Sequence, residues 1–148
     1  MSASIDSTLK RVGEQQIDLL HTVINGKQVL IRSSEIKEVL RPKTLTPVPM
    51  GPDHVVGLVN VNGQVYCIID AGGVTSLPRC LREVGPRTRF LLLRHNAMHV
   101  GIWVDEVSKM QKVEHSVLAN ADDNSDSVYR IEIDGVAYDL LQCISLLH

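Results

Sequence analysis

Three dipeptides of one kind punctuate this chain: Asn25-Gly26, Asn62-Gly63 and Asp134-Gly135, each between two apolar arms. Asn-Gly and Asp-Gly tolerate positive φ at both central positions of a two-residue hairpin turn, the geometry whose twist matches that of the flanking strands. The arms are Ile17 to Ile24 with Lys27 to Ile31, His54 to Val61 with Gln64 to Asp70, and Val128 to Ile133 with Val136 to Leu141. A fourth pair, Arg89 to Arg94 and Met98 to Val107, is joined through His95-Asn96-Ala97. Repeated hairpins with β-branched arms dictate a mostly-β chain.

Residues 1–15 read as a mobile N-terminal tail. Ser33-Ser34 can cap a short helix over Glu35 to Leu40, with Ile36, Val39 and Leu40 on one face and Glu35 at the positive end of its dipole. Arg41-Pro42 ends that helix, because the residue before proline is pushed out of the helical region. Leu45 to Pro52 carries three prolines and predicts an extended connection or edge strand. Ala71 to Ser76 can form one turn of helix, weakened by Gly72-Gly73. Residues 78–88 hold Pro78, Gly85 and Pro86 and divide the strands into a half near 16–82 and a half near 86–148. Each half is too small to be secure alone, so the two should pack on each other. Short strands with frequent turns favour small closed barrels, since closure removes exposed edges.

Composition excludes several functions. The 15 basic and 17 acidic residues are well mixed, giving a net charge of -2, without the basic stripe of a nucleic-acid surface. Tyr66, Phe90, Trp103, Tyr129 and Tyr138 are the whole aromatic set, too few for a base-stacking platform. No segment approaches the roughly 20 apolar residues that span a bilayer, so no direct membrane insertion is expected. Cys67, Cys80 and Cys143 are odd in number, without a C-x-x-C, and read as reduced thiols of a cytoplasmic protein. The polar opening MSASIDSTLKRVGEQQ lacks the apolar core of a signal peptide.

Catalytic and metal chemistry find no footing either. Asp122, Asn124 and Asp126 begin like a calcium loop, but Ser127 stands where the sharp turn needs glycine and Ile133 where a bidentate glutamate belongs. His95 and His99 are four apart, yet across a hairpin bend and without a third ligand nearby. There is no G-x-S-x-G elbow and no phosphate loop; Asp70 and Asp105-Glu106 more simply end or edge strands. The expectation is a protein that is not an enzyme, with no catalytic residue, metal or cofactor.

The order of elements resembles a known family. Ser34-Glu35-Ile36-Lys37-Glu38-Val39-Leu40, the Pro-rich link Thr44 to Pro52 and GLVNVNGQVYCIID (57–70) are similar to the "VQEI", "TRVPNAP" and "GVINLRGxVIPVIDL" segments of CheW-like domains. Phe90 to Leu93 followed by Val100 to Val107 looks like the family's "VGLLVDEV" strand, and Tyr129 to Leu147 like its closing "GVARLDGRLVILLDLDKLL". The resemblance covers roughly residues 16–148. It implies a single domain of two packed five-stranded β-barrels, with the short helix after the first hairpin. It also implies a non-catalytic scaffold that couples the signalling tips of chemoreceptors to the regulatory domain of a CheA-type histidine kinase, a two-component chemotaxis system, in the cytoplasm at receptor arrays on the inner membrane face. Carried over residue by residue, the receptor contacts are Ile36, Glu38, Val39, Leu58, Asn60 and Asn62. Thr88, Arg89 and Phe90 are the kinase candidates, on an exposed strand edge.

The chain also departs from the pattern. Asn62 replaces the arginine of "NLRG", so the hairpin tip loses a cation and gains a better turn residue. Gly72-Gly73 replaces a charged helix start, and Cys143 an acidic residue. These departures suggest a divergent, accessory member serving a non-flagellar array such as type IV pilus control. The alternative is another β-barrel binding module, for an oligonucleotide or small ligand, which the charge and the scarce aromatics disfavour.

Overall fold

In the computed structural model, residues 15–125 and 127–147 are described. The tail expected over 1–15 lies outside them except for Gln15, and so does Asp126 of the acidic loop. The three dipeptides turn as their chemistry dictates, with φ of 47° and 82° at Asn25-Gly26, 51° and 86° at Asn62-Gly63, and 50° and 80° at Asp134-Gly135. They join β1 (Gln16–Ile24) to β2 (Lys27–Arg32), β4 (Val55–Val61) to β5 (Gln64–Ile69), and β10 (Val128–Ile133) to β11 (Val136–Leu141). The other strands are β3 (Ile36–Leu40), β6 (Arg89–Leu93), β7 (Val100–Val104), β8 (Glu106–Glu114) and β9 (Asp122–Ser125). A five-residue helix, α1 (His115–Ala119), connects β8 to β9.

Two sheets result. A six-stranded one runs β8-β1-β2-β11-β10-β9 and a five-stranded one β3-β6-β7-β5-β4. The first has one strand more than the expected five, and both sheets draw strands from either side of the 82–86 boundary. The halves of the sequence therefore do not coincide with the sheets: β1 and β2 pair with β8 and β11 from the far end of the chain. The ladders leave each sheet with two end strands, but six residues beyond β3 the chain reaches the opposite edge. There Thr46 pairs with Leu58, with both backbone bonds at 2.8 Å.

The helix expected over 35–40 is corrected. A single 3-10 turn occupies Ser33–Glu35, and Ile36–Leu40 is a strand. A bulge between Ile36 and Glu38, against Leu93 and Leu92, shifts the register of that strand. The spacing of Ile36, Val39 and Leu40 imitates a helix face, whereas only Ile36 is fully buried.

Alternate residues of the central strands serve two cores. Leu19, Leu30, Ile131 and Leu140 pack with Val113 of β8 and Leu118 of α1 inside the six-stranded sheet. Their neighbours Leu20, Val29, Ile31 and Leu141 face the other way, into a larger core shared with Ile68, Phe90, Leu92, Ile102 and Trp103 of the five-stranded sheet. Each such side chain contributes about 1.5–3 kcal/mol when buried, so the sheets are held as one unit by the shared core.

Candidate partner-binding surfaces

The registers fix two opposite ends of the five-stranded sheet. Ile36 lies opposite Leu93, Leu92 opposite Gly101, Cys67 opposite Val100 and Val61 opposite Gln64, which define the end carrying the Asn62 tip. Leu40 opposite Phe90, Arg89 opposite Val104 and Val55 opposite Ile69 define the other.

The six residues expected to face a receptor are spread over both edge strands. Ile36 is a core residue, 8% exposed. Glu38 and Val39 are exposed on β3, and Glu38 has no ion-pair partner among the described residues. Lys37, the residue at the bulge, donates to Tyr66 Oη at 3.3 Å and so reaches from β3 to β5. Asn60 is exposed, but its Oδ1 accepts from Gly63 N at 3.0 Å, so its side chain braces the turn. Asn62 is exposed at the tip. The cross-strand pairs Asn60–Val65, Leu58–Cys67 and Cys67–Val100 extend the expected Leu58 into an outward apolar strip whose other members, Val65, Cys67 and Val100, the sequence reading missed. Val65 is 54% exposed, while Leu58, Cys67 and Val100 are half-buried. Its signal was the run Val65, Cys67 at a two-residue spacing opposite Leu58.

Two of the three kinase candidates offer no side chain to a partner. Phe90 is wholly buried, its ring 5.3 Å from that of Trp103. Thr88 is 2% exposed and its hydroxyl accepts from Gly85 N at 2.9 Å, closing the 85–88 loop. The physical reason is that β6 is a central strand buried on both faces, as the unbroken run Phe90-Leu91-Leu92-Leu93 signals. Arg89 alone is partly open; its guanidinium donates to the carbonyls of Thr88 (2.6 Å) and Pro86 (3.3 Å).

Three carboxylates join elements. Asp105 Oδ2 accepts from Asn25 N (2.6 Å) in the six-stranded sheet, and its Oδ1 accepts from Trp103 Nε1 (3.0 Å) in the five-stranded one. Asp70 is fully buried and holds the 71–82 loop. Glu35, 5% exposed, accepts from Ile144 N at 2.9 Å through Oε2, which ties the turn between the sheets to the last 3-10 turn, Cys143–Leu146. Its Oε1 is buried without a partner.

Burial holds the Glu35 carboxyl above its ordinary value, outweighing the Ile144 N–H, the Arg32 charge and the Cys143 N–H, which act the other way. A folded-state carboxyl that binds its proton more tightly than the unfolded chain favours folding at low pH, and that contribution is lost as pH rises through the folded-state value. Glu35→Gln, which retains an acceptor for Ile144, is therefore expected to be at least as stable as the parent at neutral pH. In urea unfolding followed across pH, its advantage should shrink as pH falls through the raised folded-state value toward 4.5 and be essentially gone below that; an advantage that grows on acidification would refute the assignment.

The remaining reactive groups are structural. His95 Nδ1 accepts from Ala97 N (3.0 Å) and Met98 N (2.9 Å) to hold its turn, while the His99 ring lies 5.1 Å from that of Tyr66. Among the described residues no three His, Cys, Asp or Glu side chains are grouped to hold a metal ion, and no helix is long and apolar enough to cross a membrane. The three thiols are free, and burial pushes that of Cys80 up to about 12 and that of Cys143 well above the ordinary value. Neither is a poised nucleophile.

Compared with known families, the chain matches the CheW-like domain over residues 18–138. It is 27% identical over 111 residues to the chemotaxis protein CheW of Bacillus subtilis, covering 75% of this chain and 68% of that one. It is 25% identical over 122 residues to the chemotaxis protein CheW of Helicobacter pylori, covering 80% and 73%. Among solved structures, the scaffolding protein TtCheW of Thermoanaerobacter tengcongensis superposes with a TM-score of 0.72 over 86% of this chain and 85% of that one. At 13% identity that likeness speaks to the fold.

Proposed function

The chain belongs to the CheW-like domain family, and from that membership we propose that it is a non-catalytic adaptor joining a chemoreceptor signalling tip to the regulatory domain of a CheA-type kinase. The observation that carries this reading is that the five-stranded sheet has two differently built ends. The Asn62 end presents the hairpin tip, Glu38 and the apolar strip of Leu58, Val65 and Val100, while Val39, opposite Leu91, lies in the register row of Ile69 and Val55. The Arg89 end presents cations and prolines around an open trough. Two surfaces on one rigid sheet can hold two partners in a fixed geometry, which is all that an adaptor's mechanism requires.

Receptor contact is assigned to the first end and kinase contact to the second. Isothermal titration calorimetry should find separate, simultaneous binding of a receptor-tip fragment and a purified kinase regulatory domain. Failure to bind either would sink the adaptor reading; mutually exclusive binding would place both partners on one surface instead.

A further inference from the structure

The link between β3 and β4 presents a side chain that neither the fold nor the surfaces above use. Met50 is fully exposed, at 104% of its reference area, and has φ of 58°. The left-handed region costs a residue with an ordinary side chain roughly 1–2 kcal/mol, and with this exposure no burial within the chain offsets it.

The link itself is rigid. Gly51 N donates to Val48 O at 3.1 Å, closing a turn with Pro49 and Met50 at its centre. This is the arrangement in which proline favours the first central position and glycine or asparagine the second. Pro47, Pro49 and Pro52 fix φ at three places. The root is closed by the Thr46–Leu58 bridge and by Leu45 lying against Gly57, where an added Cβ would come within 2.8 Å of Leu45 Cβ. Asparagine at this position would meet the turn with little strain. Here the turn is kept, and a long apolar side chain is held out in water. Strain maintained without an internal contact points to a contact outside the chain.

Its place in the fold selects the partner. Met50 lies on the connection entering β4 at Val55, while Asn62 lies beyond the far end of that strand, whose 7 residues span roughly 20 Å at 3.3 Å per residue. One contact cannot easily serve both. Where the same link leaves β3, a cavity of about 330 Å³ lined by Arg41, Pro42, Val84 and Arg89 continues through Pro42 and Val84. Its continuation, about 470 Å³, is walled by Leu45 and Val56 at the root of the link. Arg41, Lys43 and Arg89 along this trough form no ion pair with a carboxylate among the described residues.

We propose that Met50 is an anchor that seats in an apolar socket on the kinase regulatory domain, with acidic side chains around the socket meeting Arg41, Lys43 and Arg89. The inference rests on the adaptor reading, since it takes its partner from there. Methionine suits an anchoring role, being unbranched, polarizable and enriched at protein interfaces. A preformed loop also loses little entropy on binding.

Met50→Asn tests the anchor, because it relieves the backbone while deleting the apolar side chain. The urea midpoint should hold or rise, and affinity for the kinase regulatory domain should fall at least tenfold by calorimetry. Receptor-tip affinity should not change, and Met50→Leu should bind the kinase within about threefold of the parent. A parent that binds the kinase no better than Met50→Asn would overturn the anchor and leave the adaptor reading standing. A parent that binds neither domain would overturn both. Loss of stability in Met50→Asn would make Met50 structural. Loss of sedimentation with anionic phospholipid vesicles, or of self-association, with kinase binding intact would assign it to a membrane or to a second copy instead.

Discussion

Replacing Asp70 with alanine is expected to remove about 3 kcal/mol or more of stability, a large share of the 5–15 kcal/mol that holds a typical domain together. The side chain is fully buried and its Oδ1 accepts two backbone bonds, from Gly72 N at 3.1 Å and Cys80 N at 3.0 Å. Leaving two buried N–H groups without acceptors costs about 1–3 kcal/mol each. Arg79 and Arg82 approach Oδ2 at 3.7 and 3.5 Å, but both guanidiniums are partly solvated, so these pairs contribute little by comparison. The two effects separate cleanly. Asp70→Asn keeps Oδ1 as the acceptor for both N–H groups and exchanges the Oδ2 that faces the partly solvated arginines for an NH2 donor, so it should retain most of the stability that Asp70→Ala loses. Equal losses in urea unfolding would mean that the arginine pairs dominate. The loop that Asp70 organises also carries Arg82 and Val84 to the trough, so Asp70→Ala should weaken kinase binding even in the molecules that remain folded.

The hairpins were legible because a two-residue turn is a local problem. Asn25-Gly26, Asn62-Gly63 and Asp134-Gly135 carry the required φ preference in the dipeptide itself. Sheet membership was not legible, because the pairing of β1 with β8 joins residues some ninety positions apart, and nothing in either strand names its partner. The misread helix at 35–40 belongs to a different kind of failure. Six residues are too few for periodicity to separate a helix face from a bulged edge strand, and a single buried position, Ile36, left almost no pattern to read.

At the surface, the sequence misjudged which side chains the fold leaves open: Thr88 and Phe90 are buried, while Val65 and Met50 are exposed. The expected exposed edge at β6 is a central strand, and its four consecutive apolar residues are the mark of one covered on both faces. Asp70, Asp105 and Glu35 looked like strand ends or a helix start because their partners, Cys80, Asn25 and Ile144, are brought to them only by the tertiary fold. Met50 did leave a signal, a large apolar residue at the second central position of a proline turn. Its meaning needed the exposure that only the structure supplies.

Asn62→Arg is expected to strengthen binding to a conventional receptor tip by about ten- to more than a hundredfold. A charge-assisted hydrogen bond is worth roughly 1.5–3 kcal/mol. The tip is built to receive the change: Asn62 is exposed, and the bond from Gly63 N to Asn60 Oδ1 that braces the turn does not involve its side chain. Glu38, exposed on the opposite edge strand, has no ion-pair partner among the described residues and does not compete from within a pair for the new cation. The cost falls on the turn, where φ of 51° suits asparagine better than arginine. Stability should therefore drop by about 1 kcal/mol. A weaker fold with a tighter complex is the signature sought. It would mean that this chain gave up a receptor-facing cation for a better turn, and that its natural partner presents no matching acidic group. An unchanged dissociation constant, with the stability loss alone, would show that the tip is only a turn and would move receptor recognition onto the strip of Leu58, Val65 and Val100.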